Sequence, residues 1–410
     1  MNYDILLDGV CEMGYQLLAS GCQIYRVEDT MRRLIGAYGL SCEIFAIPNC
    51  IIVDLTDENN RVVTRMRRAN TGSTDILALE RLNALSRRLC ANPPEDPAEI
   101  ARQVKEVAAS THPFPFWVRL LGFFIGPAFF SLLFSGGILE ALVGGLAGLA
   151  GGACSMLLSR TKCNFFINTT VSGFVIAAVA YSMLLLGVPL NIESVTVGAI
   201  LVLVPGLVFT TFMSDLLIGD MVAGLSTFAR AVMTAGAIAL GSGTAVALFQ
   251  QLIDFPVGLV PPMVHAPVLG CILAFVGCYG FCLPFNVRGT LGTILCCLGG
   301  SLGWVVYLLL QQWGASVYVA TLVSSLIITI YSEIMARIRK CPTTAYLVVS
   351  YFPLVPGFTI YQAMDYGIRG DIQMFLETFI KTFGLAGCIA LGTLIVSTFL
   401  RIVQARKGRR

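Results

Sequence analysis

Two stretches of the 410-residue chain set a carboxylate, a hydroxyl and a cation at one spacing within apolar sequence. Asp220, Thr227 and Arg230 make the first set; Asp371, Thr378 and Lys381 make the second. Offsets of 0, 7 and 10 residues fall on about one face of a helix, so each set forms a polar stripe. A cation there can hold a substrate carboxylate, and an aspartate in low dielectric can carry a coupling proton. The competing roles are local: aspartate is a common helix N-cap, and arginine or lysine can snorkel to an interface.

Each stripe follows a helix breaker. Leu203–Gly206 and Leu354–Gly357 both read LVPG, which places Pro205-Gly206 and Pro356-Gly357 inside apolar runs. Proline removes a helical hydrogen bond and glycine permits a sharp backbone change, so broken helices lining a cavity are expected at both places. The breakers and stripes belong to one repeat. Leu203–Gly241 aligns without gaps on Leu354–Gly392 at an offset of 151, with 16 of 39 positions identical. The identities include Gly219/Gly370, Asp220/Asp371, Thr227/Thr378 and Phe228/Phe379.

The elements that position these residues belong in a bilayer. Hydrophobic residues make up 56% of the chain and charged residues 12%, too little charge to cover a soluble protein of this size. Residues 1–116 hold 27 of the 51 charged side chains, a normal soluble density, and 117–410 hold the rest. Ten apolar runs follow: 117–135, 137–158, 164–187, 194–213, 222–250, 262–283, 289–310, 315–335, 345–364 and 372–403. Each is long enough to cross a hydrocarbon core of about 30 Å. With the N-terminus inside, the inner loops hold Arg160, Lys162, Arg288, Arg337, Arg339 and Lys340, and the basic tail is also inside. Arg369 is the one outer-loop exception to the positive-inside pattern.

Ten spans carrying a repeat make two units of five. Because five is odd, the second unit enters the membrane from the opposite face, as in the inverted repeats of secondary transporters. The expected fold is therefore a mainly α membrane protein with a small N-terminal α+β cytoplasmic domain. The expected domains are 1–116, a first five-helix repeat over 117–255, and a second with the basic tail over 256–410.

The N-terminal part reads as a helix over 2–38, β-structure over 42–56, a turn at 57–60 and a returning strand. Helices at 73–90 and from 98 to about 109 follow, the latter after NPPEDP. Arg26 and Glu28 read as a surface pair or domain contact, and Arg61, Arg65, Arg67 and Arg68 as a solvated or lipid-facing strand face. No basic n-region of a signal peptide is visible in the first twelve residues, which carry Asp4, Asp8 and Glu12.

Several chemistries find no support. The 14 cysteines form no CxxC pair, and His112 and His265 have no ligand-spaced partners, so no metal or other cofactor is expected. A net charge of +3 without basic–aromatic interleaving speaks against nucleic acid. Asn164, Asn168, Thr169 and Thr170 fit helix–helix hydrogen bonding. Asp215 and Asp365 lie near the stripes but do not align with each other.

The run LLASGCQIYRVEDTMRRLIGAYGL, with Gly21 and Arg26-Val27-Glu28, resembles the N-terminal domain of the threonine/serine exporter family. TRMRRANTGSTDILALERLNALSRRL fits the same domain, and the second membrane half with its LVPG looks like that family's C-terminal membrane domain. The resemblance implies export of threonine or serine by proton antiport across a prokaryotic inner membrane, and the loop charges put both termini on its cytoplasmic side. The expected partners are the small-molecule substrate, protons and the bilayer, and a homo-oligomer is compatible with the sequence. Two-chain relatives are associated with dicarboxylates such as succinate, so that substrate class stays open. An enzyme reading would make Asp220 and Asp371 an intramembrane aspartyl protease dyad, but the glycine two residues before each GD is replaced by Leu217 and Ile368.

Overall fold

The computed structural model describes residues 2–56, 61–69, 74–134, 136–161, 163–203, 206–251 and 267–407. Pro205, Asp254, His265 and the turn at 57–60 lie outside these residues.

Two helices form where one was expected over 2–38. Helix α1 (Tyr3–Ala19) starts at Asn2, whose side chain accepts the N–H groups of Asp4 and Ile5, and α2 covers Ile24–Gly36. The chain turns between them at Gly21, whose φ of +82° suits glycine. A Cβ there would also press against Thr74. Strands β1 (Cys42–Ile47), β2 (Cys50–Thr56) and β3 (Val62–Arg68) form an antiparallel sheet in that order. The 42–56 run splits at Pro48-Asn49, a two-residue turn that pairs Ile47 with Cys50. Ile51, Val53 and Leu55 alternate into the core, where they join Leu6, Val10 and Met13 of α1. Helices α3 (Ile76–Ala91) and α4 (Ala98–Ser110) complete the unit.

The basic strand β3 is neither a free solvated face nor a lipid contact along its whole length. Arg65 bonds Asp8 and Arg67 bonds Glu12 at 2.6 Å, so alternate arginines lie on the acidic side of α1. Arg26 and Glu28 do not pair. Glu28 accepts the Ala46 N–H at 2.8 Å, while Arg26 donates to the Tyr25 hydroxyl.

The apolar part follows in chain order as α5 (Phe116–Leu133), α6 (Ile138–Arg160), α7 (Phe165–Leu185), α8 (Ile192–Ile200), α9 (Gly206–Ile218) and α10 (Met221–Gln250). It continues as α11 (Pro267–Cys282), α12 (Thr290–Gln312), α13 (Val317–Arg339), α14 (Thr344–Ser350), α15 (Gly357–Ile368) and α16 (Ile372–Lys407). Among the described residues seven helices are long and apolar enough to cross a membrane: α5, α6, α7, α10, α12, α13 and α16. Their outward faces are apolar, as Leu291, Ile294, Leu298 and Leu302 show at helical spacing on α12.

The other expected spans are shorter or divided. The sixth appears as the 16-residue α11. The fourth is split into α8 and α9, and the ninth into α14 and α15, with Pro356 at the N-cap of α15. Proline lacks the N–H a continuing helix would donate, and α15 starts afresh after it.

Glycines set the central crossing. Gly126 faces the Phe281 ring, Gly277 faces the Phe130 ring, and Gly122 meets Leu283. Rising numbers on α5 meet falling numbers on α11, so these two helices run antiparallel. A reciprocal contact joins the later helices: Met213 of α9 lies over Gly387 of α16, and Met364 of α15 lies over Gly236 of α10. Phe212 and Phe228 meet at a tilt across the α9–α10 turn with centroids 5.1 Å apart, which levels Met213 with about Thr227. By the same turn Met364 is level with about Thr378, so α10 and α16 are also antiparallel.

The sheet-bearing unit docks on one end of this bundle. The Ile76 N–H donates to Phe285 O at 3.0 Å, and Asn286 Nδ2 donates to Asp75 Oδ1 at 3.0 Å. Arg87 donates to Lys340 O, and Arg288 to His112 O. Ala223, near the start of α10, is buried in the sheet-bearing unit's own core. The loops at 283–289 and 340–344 and the head of α10 therefore share the docked end.

Candidate functional site

Residue types at the docking seam enclose a cavity of about 680 Å³. The soluble unit contributes the α1–α2 turn, with Cys22 and Gln23, and the β1–β2 turn, with Pro48 and Asn49. Both turns are fixed by the local sequence described above, Gly21 in one and a proline in the other. From the apolar helices come Thr211, Ser214 and Asp215 on α9 and Thr227 and Arg230 on α10. Later in the chain come Thr344 and Leu347 on α14, Tyr351 after it, and Ile389 and Thr393 on α16. Three separate parts of the chain thus wall one space of ligand size.

One buried polar group in its wall is tied down. The Tyr351 hydroxyl lies 2.7 Å from those of both Thr329 and Thr393, which fixes the ring at the start of the break between α14 and α15. Its most charged wall is α9–α10. Arg230 stands beside the Phe165 ring, 5.7 Å from guanidinium to centroid. Asp215 is 3% exposed, and its Oδ2 has no hydrogen-bond partner among the described residues. Burying an unpaired carboxylate is costly, so its presence in a cavity wall calls for a cationic or proton-donating occupant.

On the soluble side the environment is apolar enough to change acidity. Burial pushes the Cys22 thiol up to about 11, against smaller opposing effects of Arg26 and the Gln23 backbone. Burial also raises the Glu28 carboxyl, and the Asp220 carboxylate facing it raises it further; the Ala46 N–H and Arg32 act the other way. Asp220 therefore stands at the docked end.

The residues expected from sequence divide into three groups. Thr227 and Arg230 line the cavity. Asp220 and Asp371 cap helices: Asp220 accepts the Ala223 N–H at 3.4 Å, and Asp371 accepts the Met374 N–H at 3.1 Å. Thr378, Lys381, Pro356 and Gly357 lie outside the cavity wall, Gly206 opens α9, and Pro205 is not among the described residues. The antiparallel register of α10 and α16 puts Asp220 and Asp371 at opposite ends, about 35 Å apart at 1.5 Å per residue. A dyad sharing one proton needs carboxyls about 3 Å apart, so this geometry does not build the protease site.

Asp215 has no carboxylate mate in the repeat, since position 366 is tyrosine, so the repeat does not single it out. The available signal was simpler: a carboxylate two to three turns after LVPG in an apolar helix. Gln23 and Asn49 carried no signal, since their place in the wall depends on docking. Asn168 behaves as expected, donating to Ser155 O and Ser159 Oγ across α6 and α7.

Seven described helices long and apolar enough to cross a membrane, with a cavity where the sheet-bearing unit docks, mark a multi-pass membrane protein. The chain belongs to the threonine/serine exporter family: one family profile matches residues 8–249, and a second, also described as a threonine/serine exporter, matches residues 270–399. No curated protein and no solved structure matches it.

Proposed function

We propose that the chain is a secondary transporter that exports threonine and serine across a prokaryotic inner membrane in exchange for protons. The observation that carries this reading is the cavity walled jointly by α9–α10, by α14 and α16, and by the soluble unit. Substrate enters from the docked end, which holds the inner loops Arg288 and Lys340 and is cytoplasmic by the positive-inside pattern. Both termini are then cytoplasmic.

In this reading the seven long helices, the short α11 and the two divided pairs α8–α9 and α14–α15 make ten spans in two inverted halves. The antiparallel crossing of α5 with α11 and the reciprocal Met213–Gly387 and Met364–Gly236 contacts support that symmetry. The breaks at Pro205-Gly206 and Pro356-Gly357 serve as the points where each half bends. Thr227 and Arg230 serve the inner approach. Thr378 and Lys381 occupy the equivalent stripe toward the other face, with Asp220 and Asp371 fixing the heads of the two stripes.

Purified full-length protein in liposomes tests the reading. Preloading with unlabelled threonine should drive uptake of labelled threonine, and an imposed pH gradient should drive net accumulation. Cleavage of a reporter helix without amino-acid flux would replace transport by the enzyme reading.

A further inference from the structure

We propose that Asp215 and Arg230 form a two-point clamp for the α-ammonium and α-carboxylate of a single zwitterionic amino acid. The clamp deepens the transport reading above and rests on its cavity.

Asp215 supplies the negative end. It is almost wholly buried, it lines the cavity, and its Oδ2 lacks a hydrogen-bond partner among the described residues. An ammonium group offers three donors to such an oxygen and removes the cost of its isolation. Arg230 supplies the positive end on the facing helix, with the fork of N–H groups that suits a carboxylate.

The α9–α10 hairpin sets the separation. Leu216 packs on Gly224, and Phe212 packs against Phe228, so Asp215 lies across from about residue 225. Arg230 is then about five residues further along α10, roughly 7 Å of axial rise. Helical side chains lean toward the N-terminus of their own helix, so the long Arg230 side chain leans back toward the level of Asp215. Opposite charges on neighbouring walls of one cavity, offset by roughly 7 Å along the hairpin, match a molecule that carries both charges on one carbon. The hydroxyls of Thr211 and Thr227 share the helix faces of Asp215 and Arg230, at offsets of four and three residues, and can meet a substrate hydroxyl.

The same arrangement selects against a dicarboxylate. With one carboxylate on Arg230, the second would face the buried carboxylate of Asp215, and like charges there repel.

The test uses the full chain in liposomes at equal pH on both sides and reads threonine exchange. Serine should compete with labelled threonine. 3-Hydroxybutyrate, which lacks the amine, 1-amino-2-propanol, which lacks the carboxylate, and succinate should each compete roughly 10- to 100-fold more weakly. The isosteric Asp215→Asn and the charge-removing Arg230→Gln should each raise the threonine KM by about tenfold or more, with partial recovery in Arg230→Lys. Threonine should raise the melting temperature of the detergent-solubilised wild type but not of Asp215→Asn.

Succinate competing as well as threonine overturns the clamp on wild-type protein alone, even if the variants misfold. Asp215→Asn with wild-type exchange kinetics but no gradient-driven accumulation also overturns it, making Asp215 a proton carrier only. Threonine stabilisation that depends on Asp215, without exchange, leaves the clamp standing and removes the transport reading. Neither stabilisation nor exchange removes both.

Discussion

Glu12 is a carboxylate 5% exposed on α1, and it is tolerated there because Arg67 reaches it from β3 at 2.6 Å and lies over the Tyr15 ring. Gln16 adds a donor at 2.8 Å. Removing one partner of such a pair leaves the other charge buried, which costs far more than the pair contributes. Arg67→Ala should destabilise the soluble unit by about 3 kcal/mol. Hydrogen exchange on the full chain should show faster exchange in α1 and β3, with α5 onward unchanged. At this scale the sequence spoke unevenly. Thr227 and Arg230 were visible because a gapless repeat singled them out, and both line the cavity. Asp215 was hidden by the same criterion: its mate at 366 is tyrosine, and a search for shared residues discards whatever the two halves do differently. A substrate with two unlike ends needs unlike walls, so strict symmetry is a poor guide to its site.

The elements pack through glycine. Where α5 crosses α11, a Cβ on Gly280 would strike the Gly126 backbone, and backbone cannot move aside as a flexible side chain can. Gly280→Ala should lower the melting temperature of the solubilised protein, at a cost of about 1–3 kcal/mol from overpacking. Gly243, which has open space around it, should accept alanine without a fall and serves as the control. Helices of this kind were legible from sequence because apolar length is a strong signal, and seven long ones stand near the expected positions. The divided pairs were legible only in part. LVPG marked a break at both places, but hydropathy counts residues without asking whether their backbone is continuous, so α8–α9 and α14–α15 each read as one apolar run. In the soluble unit, continuous amphipathic spacing concealed the turn at Gly21 and joined α1 to α2. A turn defined by one φ angle leaves no trace in periodicity.

At the scale of the whole molecule the sheet-bearing unit is part of the cavity, because its α1–α2 and β1–β2 turns line the wall beside α9, α10, α14 and α16. The strength of docking therefore bears on the shape of that space. One charge pair in the seam responds to pH. Burial first, and then the facing Asp220 carboxylate, raise the Glu28 carboxyl above its ordinary 4.5, against the Ala46 N–H and Arg32. The part due to Asp220 exists only in the docked state. Docked protein therefore binds this proton more tightly than undocked protein. The proton's contribution to docking is complete below the undocked value and is lost as pH rises through the docked one. Cys22 reports the result, since it lines the cavity and its thiol, pushed up to about 11 by burial, is a poor nucleophile while the seam is closed. In a variant that keeps Cys22 as its sole cysteine, maleimide labelling should accelerate from pH 5 to pH 7.5 by more than growth of the thiolate alone explains. Adding Glu28→Gln, which keeps an acceptor for the Ala46 N–H but carries no charge, should remove that excess while leaving the thiolate-driven rise. Identical labelling profiles with and without Glu28→Gln would separate Glu28 from docking and leave the seam insensitive to this carboxyl.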